Sequence, residues 1–390
     1  MNTNSYKQYL SSCKENIKED KNINLSFTDE NDIACNVFTN INKIKKLASD
    51  IRTKFINNIA DNLIVFDKNF SEKGGTVHWC ITYNDFIEKI VKLLDKNNIK
   101  SINIFHSDFM EELGVENALK NKDIIIDNDI NDVIAFTPKF GIINSGSLFF
   151  EFVSSIDMEQ VLSSKFKIFV LPITDFLFKN EDVELFSYLY SIYKYKKVYP
   201  YLTSLYTPSP IKNKEDNIHI FLVDNGRSNV LENKEIHSAL NCINCGACKQ
   251  VCPVYQVIGD KPYDNIFSGP YANVVLPYLE NVENYKHLCF SCTGCGNCSK
   301  ICPVNIPISE LIIKNKNYFF ENGIMDITDI RLAKSLGRTL KNRKRMNKSK
   351  VLKNLKIKLL VNNSKLITDK FVFSKYTFNQ QYQLNNSNDE

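Results

Sequence analysis

The stretch LCFSCTGCGNCSKICPVNIP (288–307) and its upstream counterpart CINCGACKQVCP (242–253) decide how this chain is organised. The upstream run reads C-x2-C-x2-C-x3-C-P through Cys242, Cys245, Cys248 and Cys252. The later run fits the same frame in one way, because its Cys-Pro is Cys302-Pro303. Cys292, Cys295, Cys298 and Cys302 then take the four positions, and Cys289 is left over.

The spacing has a physical logic. Two-residue gaps let a tight loop present three thiolates to one face of an iron–sulfur cubane, and Gly246 and Gly296 let the backbone approach its sulfides. The fourth cysteine follows about one helical turn later and points elsewhere. In two-cluster ferredoxins it ligates the other cluster. Applied here, the rule puts Cys242, Cys245, Cys248 and Cys302 on cluster 1, and Cys252, Cys292, Cys295 and Cys298 on cluster 2, giving two neighbouring [4Fe-4S] clusters. Cys289 stands three residues before Cys292, so which of the two completes cluster 2 stays open at the level of sequence. Zinc accepts four cysteines too, usually as two C-x2-C pairs, and disulfides suit an oxidising compartment. Neither explains the triple spacing occurring twice. Clusters with a purely structural role remain the other alternative.

The remaining cysteines, Cys13, Cys35 and Cys80, are scattered, whereas nine of the twelve fall between 242 and 302. Clustered C-x-x-C spacings in a reducing compartment point to metal. The N-terminus has no apolar core of the secretory kind and no run of eighteen apolar residues occurs, so the expected location is cytoplasmic. The net charge of +5 hides an asymmetry: 331–366 carries no acidic residue and many Lys and Arg, so the rest of the chain is net acidic. No G-x-G-x-x-G after a strand, P-loop, H-E-x-x-H or G-x-S-x-G occurs, and no catalytic residue is identified.

Upstream, strands and helices alternate. Strands are expected at 75–81, 101–107, 123–127 and 217–225, with further apolar segments at 133–136, 140–143, 147–153 and 166–171. Helices are expected within 46–73 and at 83–99 (capped near Asn84 or Asp85), 108–122 and 183–197. This argues for an α/β domain with a mostly parallel sheet. The stretch 207–217 reads as a linker. The expected domains are an N-terminal arm and helix (1–45), the α/β domain (46–228), a two-cluster ferredoxin-type domain (229–320) and a basic helical tail (321–390).

Taken in order, VDNGRS (223–228), CINCGACKQVCPVYQVIG (242–259), SGP (268–270) and CGNCSKICPVNIP (295–307) resemble the lactate-utilisation protein B family, the iron–sulfur subunit of a bacterial L-lactate-oxidising complex. NSGSLFF (144–150) is similar to a Gly-Ser strand of the family's LUD domain. The resemblance implies a LUD-type α/β fold, a parallel or mixed sheet with flanking helices, followed by a mainly α-helical two-cluster ferredoxin module. It implies a subunit that carries electrons while lactate becomes pyruvate, with a CCG-domain cysteine-rich subunit and a small LUD-domain protein as partners. The family's second motif is often the shorter C-x2-C-x3-C-P, so Cys295, Cys298 and Cys302 carry over directly and Cys292 rests on spacing. Relay subunits of glycolate-oxidase or heterodisulfide-reductase type, and a sensor with structural clusters, are the alternatives.

Smaller features have plainer readings. Arg227 is expected as a turn residue satisfying carbonyls, Ser145 and Ser147 as loop formers, His78 and His106 as packing residues, Cys80 as a buried thiol, and Tyr255 and Phe290 as shields of the clusters. No nucleic-acid partner is expected. The basic tail is compatible with peripheral contact at the inner membrane face.

Overall fold

The computed structural model describes residues 40–342 except 128–131, 153, 197–201 and 209–216, together with Leu355, Lys358 and Leu359. The expected N-terminal arm up to residue 39, Cys13, Cys35, most of the linker and most of the basic tail lie outside the described residues. The chain divides into two compact units, Met1–Lys314 and Asn315–Glu390.

Among the described residues the first unit begins with two helices, Ile41–Asn57 and Ile59–Glu72. A parallel six-stranded sheet follows. Its strands are β1 (Thr76–Cys80), β2 (Ser101–Ile104), β3 (Ile125–Ile126), β4 (Val133–Phe136), β7 (Phe166–Pro172) and β10 (Asn217–Val223), in the order β1-β10-β7-β4-β2-β3. Every residue of β7 is buried, and five of the seven in β10 are. Such near-continuous apolar runs are what strands covered on both faces require.

The helix Tyr83–Lys96 buries Phe86, Ile87, Ile90, Leu93 and Leu94, a stripe at helical period. Its N-cap is Thr82 rather than Asn84 or Asp85. The Thr82 side chain accepts from the Asp85 N–H, while the Asp85 carboxylate turns back to accept from Ile81 N–H. The helix expected over 108–122 is two, Asp108–Glu112 and Val115–Lys120, broken at Gly114 with φ +53°. A left-handed residue ends a helix.

A second sheet was not legible in the alternation. It comprises β5 (Phe140–Ile142), β6 (Ser147–Phe152), β8 (Phe176–Leu177) and β9 (Leu202–Tyr206), in the order β8-β5-β6-β9. The β5–β6 pair is antiparallel. Gly146 in its turn has φ +55°, and a Cβ there would stand 2.6 Å from the backbone of Asn69 and Phe70. Ser147 is buried, its hydroxyl 2.6 Å from that of Thr207. An aromatic seam joins the two sheets, with Phe150 5.4 Å from Phe136 and 5.3 Å from Phe169, centroid to centroid.

The end of β10 feeds the cysteine-rich region through a tightly specified turn. Asp224 accepts from Ser228 N–H and Oγ–H at 2.7 and 2.6 Å. Gly226 has φ +85°, and a Cβ there would meet the Leu279 carbonyl oxygen at 2.6 Å. Arg227 has the structural role expected of it, although its main partner is a carboxylate. Both Nη atoms bond Glu112 at 2.9 Å, and Nη1 also reaches the Asp224 carbonyl. Beyond the turn the chain is helical, in short helices and 3-10 turns up to Ile308–Glu321 and then Ile327–Leu340. This is the α/β body followed by a helical module that the sequence implies. Among the described residues no helix is long and apolar enough to cross a membrane.

The Arg227–Glu112 side chains are 7% and 5% exposed. Removing one member of a buried pair leaves the other unpaired at a cost of about 3–5 kcal/mol. Glu112→Ala is therefore expected to lower the thermal unfolding midpoint strongly, and Glu112→Gln, which can still accept from Arg227, to lower it less.

Candidate iron–sulfur site

The two cysteine runs fold as near copies, fifty residues apart. Each begins with a 3-10 turn, His237–Asn241 or Lys286–Ser291. Each then makes an extended loop with two left-handed residues, Asn244 and Gly246 in the first and Gly294 and Gly296 in the second. A one-turn helix follows, Ala247–Gln250 or Asn297–Ile301, and then Cys-Pro. A Cβ built on Gly246, Gly294 or Gly296 would meet nothing within 4 Å, so the loop backbones border open space. Backbone N–H groups point at sulfur in both: Asn244 N–H to Cys242 Sγ and Gly294 N–H to Cys292 Sγ, each at 3.4 Å, and Ile306 N–H to Cys302 Sγ at 3.3 Å. N–H groups in this orientation favour sulfur that carries negative charge.

Electrostatics sorts the thiols into two sets. Burial pushes up the Cys242, Cys245 and Cys248 thiols and takes Cys302 to about 12. After burial, Cys242 responds to Cys245 and Cys302, and Cys248 to Cys242, Cys245 and Cys302. In the other set burial raises Cys252 and takes Cys298 to about 11. Cys252 responds to Cys295 and Cys292, and Cys298 to Cys292, Cys252 and Cys295. Each set thus holds three cysteines of one run and the Cys-Pro cysteine of the other. Cys248 also feels Cys298, so the sets are neighbours.

A recess is lined by Cys252, Cys292, Cys295 and Cys298, with Tyr263 and Asn273 among its other walls. Cys289 does not line this recess. It is fully buried and its thiol donates to the Asn273 carbonyl at 3.0 Å. Its counterpart in the first copy is Ala239, equally buried, which makes position 289 a packing position. None of the ten described cysteines is in a disulfide. Among the described residues no three His, Cys, Asp or Glu are placed to hold one metal ion. Tetrahedral zinc draws its thiolates to roughly 3.8 Å from one another, given Zn–S bonds of about 2.3 Å. A cubane takes one thiolate at each of its four iron corners, and each set supplies four.

The surroundings of the sets differ. Lys139 Nζ donates to the Ile243 carbonyl at 3.4 Å beside Cys245. Lys45 Nζ donates to the Lys300 and Ile301 carbonyls at 3.0 and 3.3 Å, beside Cys302. Arg52 is wholly buried next to Cys242 and bonds the Leu240 and Asn241 carbonyls. The leading influences on Cys252 and Cys298 are burial, the other thiols and backbone N–H groups. Exposure differs as well. Ile243 and Cys245 are buried, whereas their counterparts Thr293 and Cys295 are exposed.

Three cations near the first set were missed in the sequence. Lys45 and Arg52 lie on the buried face of Ile41–Asn57 with Ala48 and Phe55, and cations inside an apolar stripe were the available signal. Of the smaller expectations, Cys80 is buried and its thiol pushed up to about 12 by that burial. His78 packs on His219 at 3.1 Å between ring nitrogens. His106 lies beyond the end of β2 and is exposed. Tyr255 turns its hydroxyl to Asp260 at 2.7 Å.

The comparisons with known proteins agree with this class of site. Residues 238–306 match the family model described as a 4Fe-4S dicluster domain, which makes this segment a 4Fe-4S domain. The chain resembles lactate utilization protein B of Shouchella clausii, 38% identical over 144 residues, and that of Bacillus subtilis strain 168, 38% identical over 124. These matches cover 36% and 31% of this chain and only 30% and 26% of the relatives' length. A DUF162 family protein of Deinococcus radiodurans, known from a crystal structure, aligns over 43% of this chain and 97% of its own, at 12% identity and a TM-score of 0.31. That likeness is too distant to carry an argument.

Access and burial predict an order of thiol reactivity. In metal-free protein, iodoacetamide is expected to modify Cys295 first among the ten described cysteines and the buried Cys289 and Cys302 last, read by mass spectrometry of peptides sampled over time.

Proposed function

We propose that this chain is the iron–sulfur electron-transfer subunit of a complex oxidising L-lactate to pyruvate. The observation that carries the proposal is the sorting of eight thiols into two sets of four, each completed by the other run's Cys-Pro cysteine. On this reading Cys242, Cys245, Cys248 and Cys302 hold one [4Fe-4S] cluster, and Cys252, Cys292, Cys295 and Cys298 hold the second. The names of the relatives support lactate as the substrate. The 46–228 body corresponds to a LUD-like domain, 229–320 to the two-cluster domain and 321–390 to the basic tail.

Lactate gives up two electrons and two protons to become pyruvate, and a cubane passes one electron at a time. Two adjacent clusters accept the pair in sequence. The oxidation itself takes place on a catalytic partner or at a composite interface, with a CCG-domain subunit and a small LUD-domain protein completing the complex. The first set lies against the α/β body, while the second has Thr293 and Cys295 at the surface. Electrons therefore pass between partners through the exposed edge of the second cluster. The neutral, half-covered recess around it suits exchange with a docking protein. The cytoplasm is the compartment proposed for this relay.

Anaerobic reconstitution is expected to give about eight irons per chain when both cubanes form. Cys292→Ser is expected to lower that number, and Cys289→Ser to leave it unchanged; the reverse pattern would refute the ligand assignment. Co-purified with its partners, the chain is expected to become reduced when L-lactate is added. Clusters that stay oxidised with lactate but become reduced with another 2-hydroxy acid would move the substrate, leaving the relay in place.

A further inference from the structure

We infer that Arg52 is the fixed counter-charge of the first cluster and raises its reduction potential. The inference rests on the two-cluster reading proposed above.

The argument starts from the cost of burying a cation. Arg52 has no solvent exposure. Its hydrogen-bond partners are four neutral carbonyl oxygens: Asn241 from Nε at 3.2 Å, Phe176 from Nη1 at 2.9 Å, and Thr174 and Leu240 from Nη2 at 2.7 and 2.9 Å. Carbonyl dipoles satisfy the N–H groups but leave a full positive charge in a medium of low dielectric, where an unpaired ion is expensive. Apart from burial, the groups acting on it are acidic: Asp175, Cys242 and Tyr271. Asp175 is itself raised by burial and bonds Thr174 Oγ at 3.1 Å, so it is a poor partner for a cation.

The position of the charge identifies what it serves. Leu240 and Asn241 immediately precede Cys242, so the guanidinium is locked to the backbone that presents the first thiolate. A cubane with four thiolates carries about two negative charges when oxidised and about three when reduced. A nearby cation favours the more negative form, so it raises the potential of that cluster.

The test is a redox titration of the anaerobically loaded full chain, followed by electron paramagnetic resonance, with iron counted in every sample. Wild type is expected to show two waves. Arg52→Gln is expected to move one wave to lower potential by a factor of about ten or more in the reduction equilibrium, about 59 mV for one electron, and to leave the other in place. Arg52→Lys, which keeps the charge, is expected to restore most of the difference. Both waves unmoved in a fully loaded Arg52→Gln protein would overturn the inference, as would an equal shift in Arg52→Lys. If Arg52→Gln fails to load, Arg52→Met is a second neutral variant. If neither neutral variant loads while Arg52→Lys does, the positive charge is required at the cluster and the inference stands; if Arg52→Lys fails to load as well, the side chain is structural and the inference falls. A wild-type chain that takes up no iron would instead end the two-cluster reading itself.

Discussion

The guanidinium of Arg52 ties the parallel sheet to the cysteine-rich region. Two of its carbonyl partners, Thr174 and Phe176, follow β7, and the other two, Leu240 and Asn241, lead into Cys242. Seven residues earlier on the same helix, Lys45 bonds the last carbonyls of the one-turn helix before Cys302. Seven residues of α-helix are about 10 Å long and nearly two turns. One helix, Ile41–Asn57, therefore fixes both cysteine runs against the α/β body. The first thiol set needs both runs in register, because Cys302 has to arrive beside Cys242, Cys245 and Cys248. A helix that grips the approach to Cys242 and the approach to Cys302 supplies that register.

The near-duplication of the two runs is broken by what lies against them. Matching loops present matching N–H groups to sulfur, but Ile243 and Cys245 of the first are buried, whereas Thr293 and Cys295 of the second are exposed. Lys139 closes over Ile243, and the equivalent Thr293 faces solvent. Burial, charge and hydrogen bonds to sulfur are the levers by which a protein sets the potential of a cluster. Backbone hydrogen bonds are nearly alike in the two copies. Charge and exposure are where they differ, and these are contributed by the α/β body rather than by the cysteine motif. A duplicated ligand frame thereby becomes two unequal sites.

How much of this was legible in the sequence follows from the range of each constraint. The thiol sets follow from spacing, because a loop with two-residue gaps and a Cys-Pro one turn later has few geometries. The strands β4, β7 and β10 were visible as apolar runs, since burial on both faces forces that composition. The second sheet was not. Its strand β8 has only two residues, and the pairing of β8 and β9 is set by partners far away in sequence. The split at Gly114 and the Thr82 cap turn on single residues, where local pattern is least decisive. Arg52 carried no motif at all. Its role exists only because the fold brings four distant carbonyls to one guanidinium. Cys289 shows the converse: spacing made it a rival to Cys292, and in the fold its thiol packs against the Asn273 carbonyl.

The central claim is that two cubanes sit side by side because each run lends its last cysteine to the other. Electron paramagnetic resonance of the fully reduced, anaerobically loaded chain tests it most directly. Neighbouring paramagnets couple, so the account predicts a spectrum broadened and split by interaction between two clusters, which simplifies when only one is reduced. A fully reduced spectrum with a single isolated signal, or two signals that ignore each other, would contradict it.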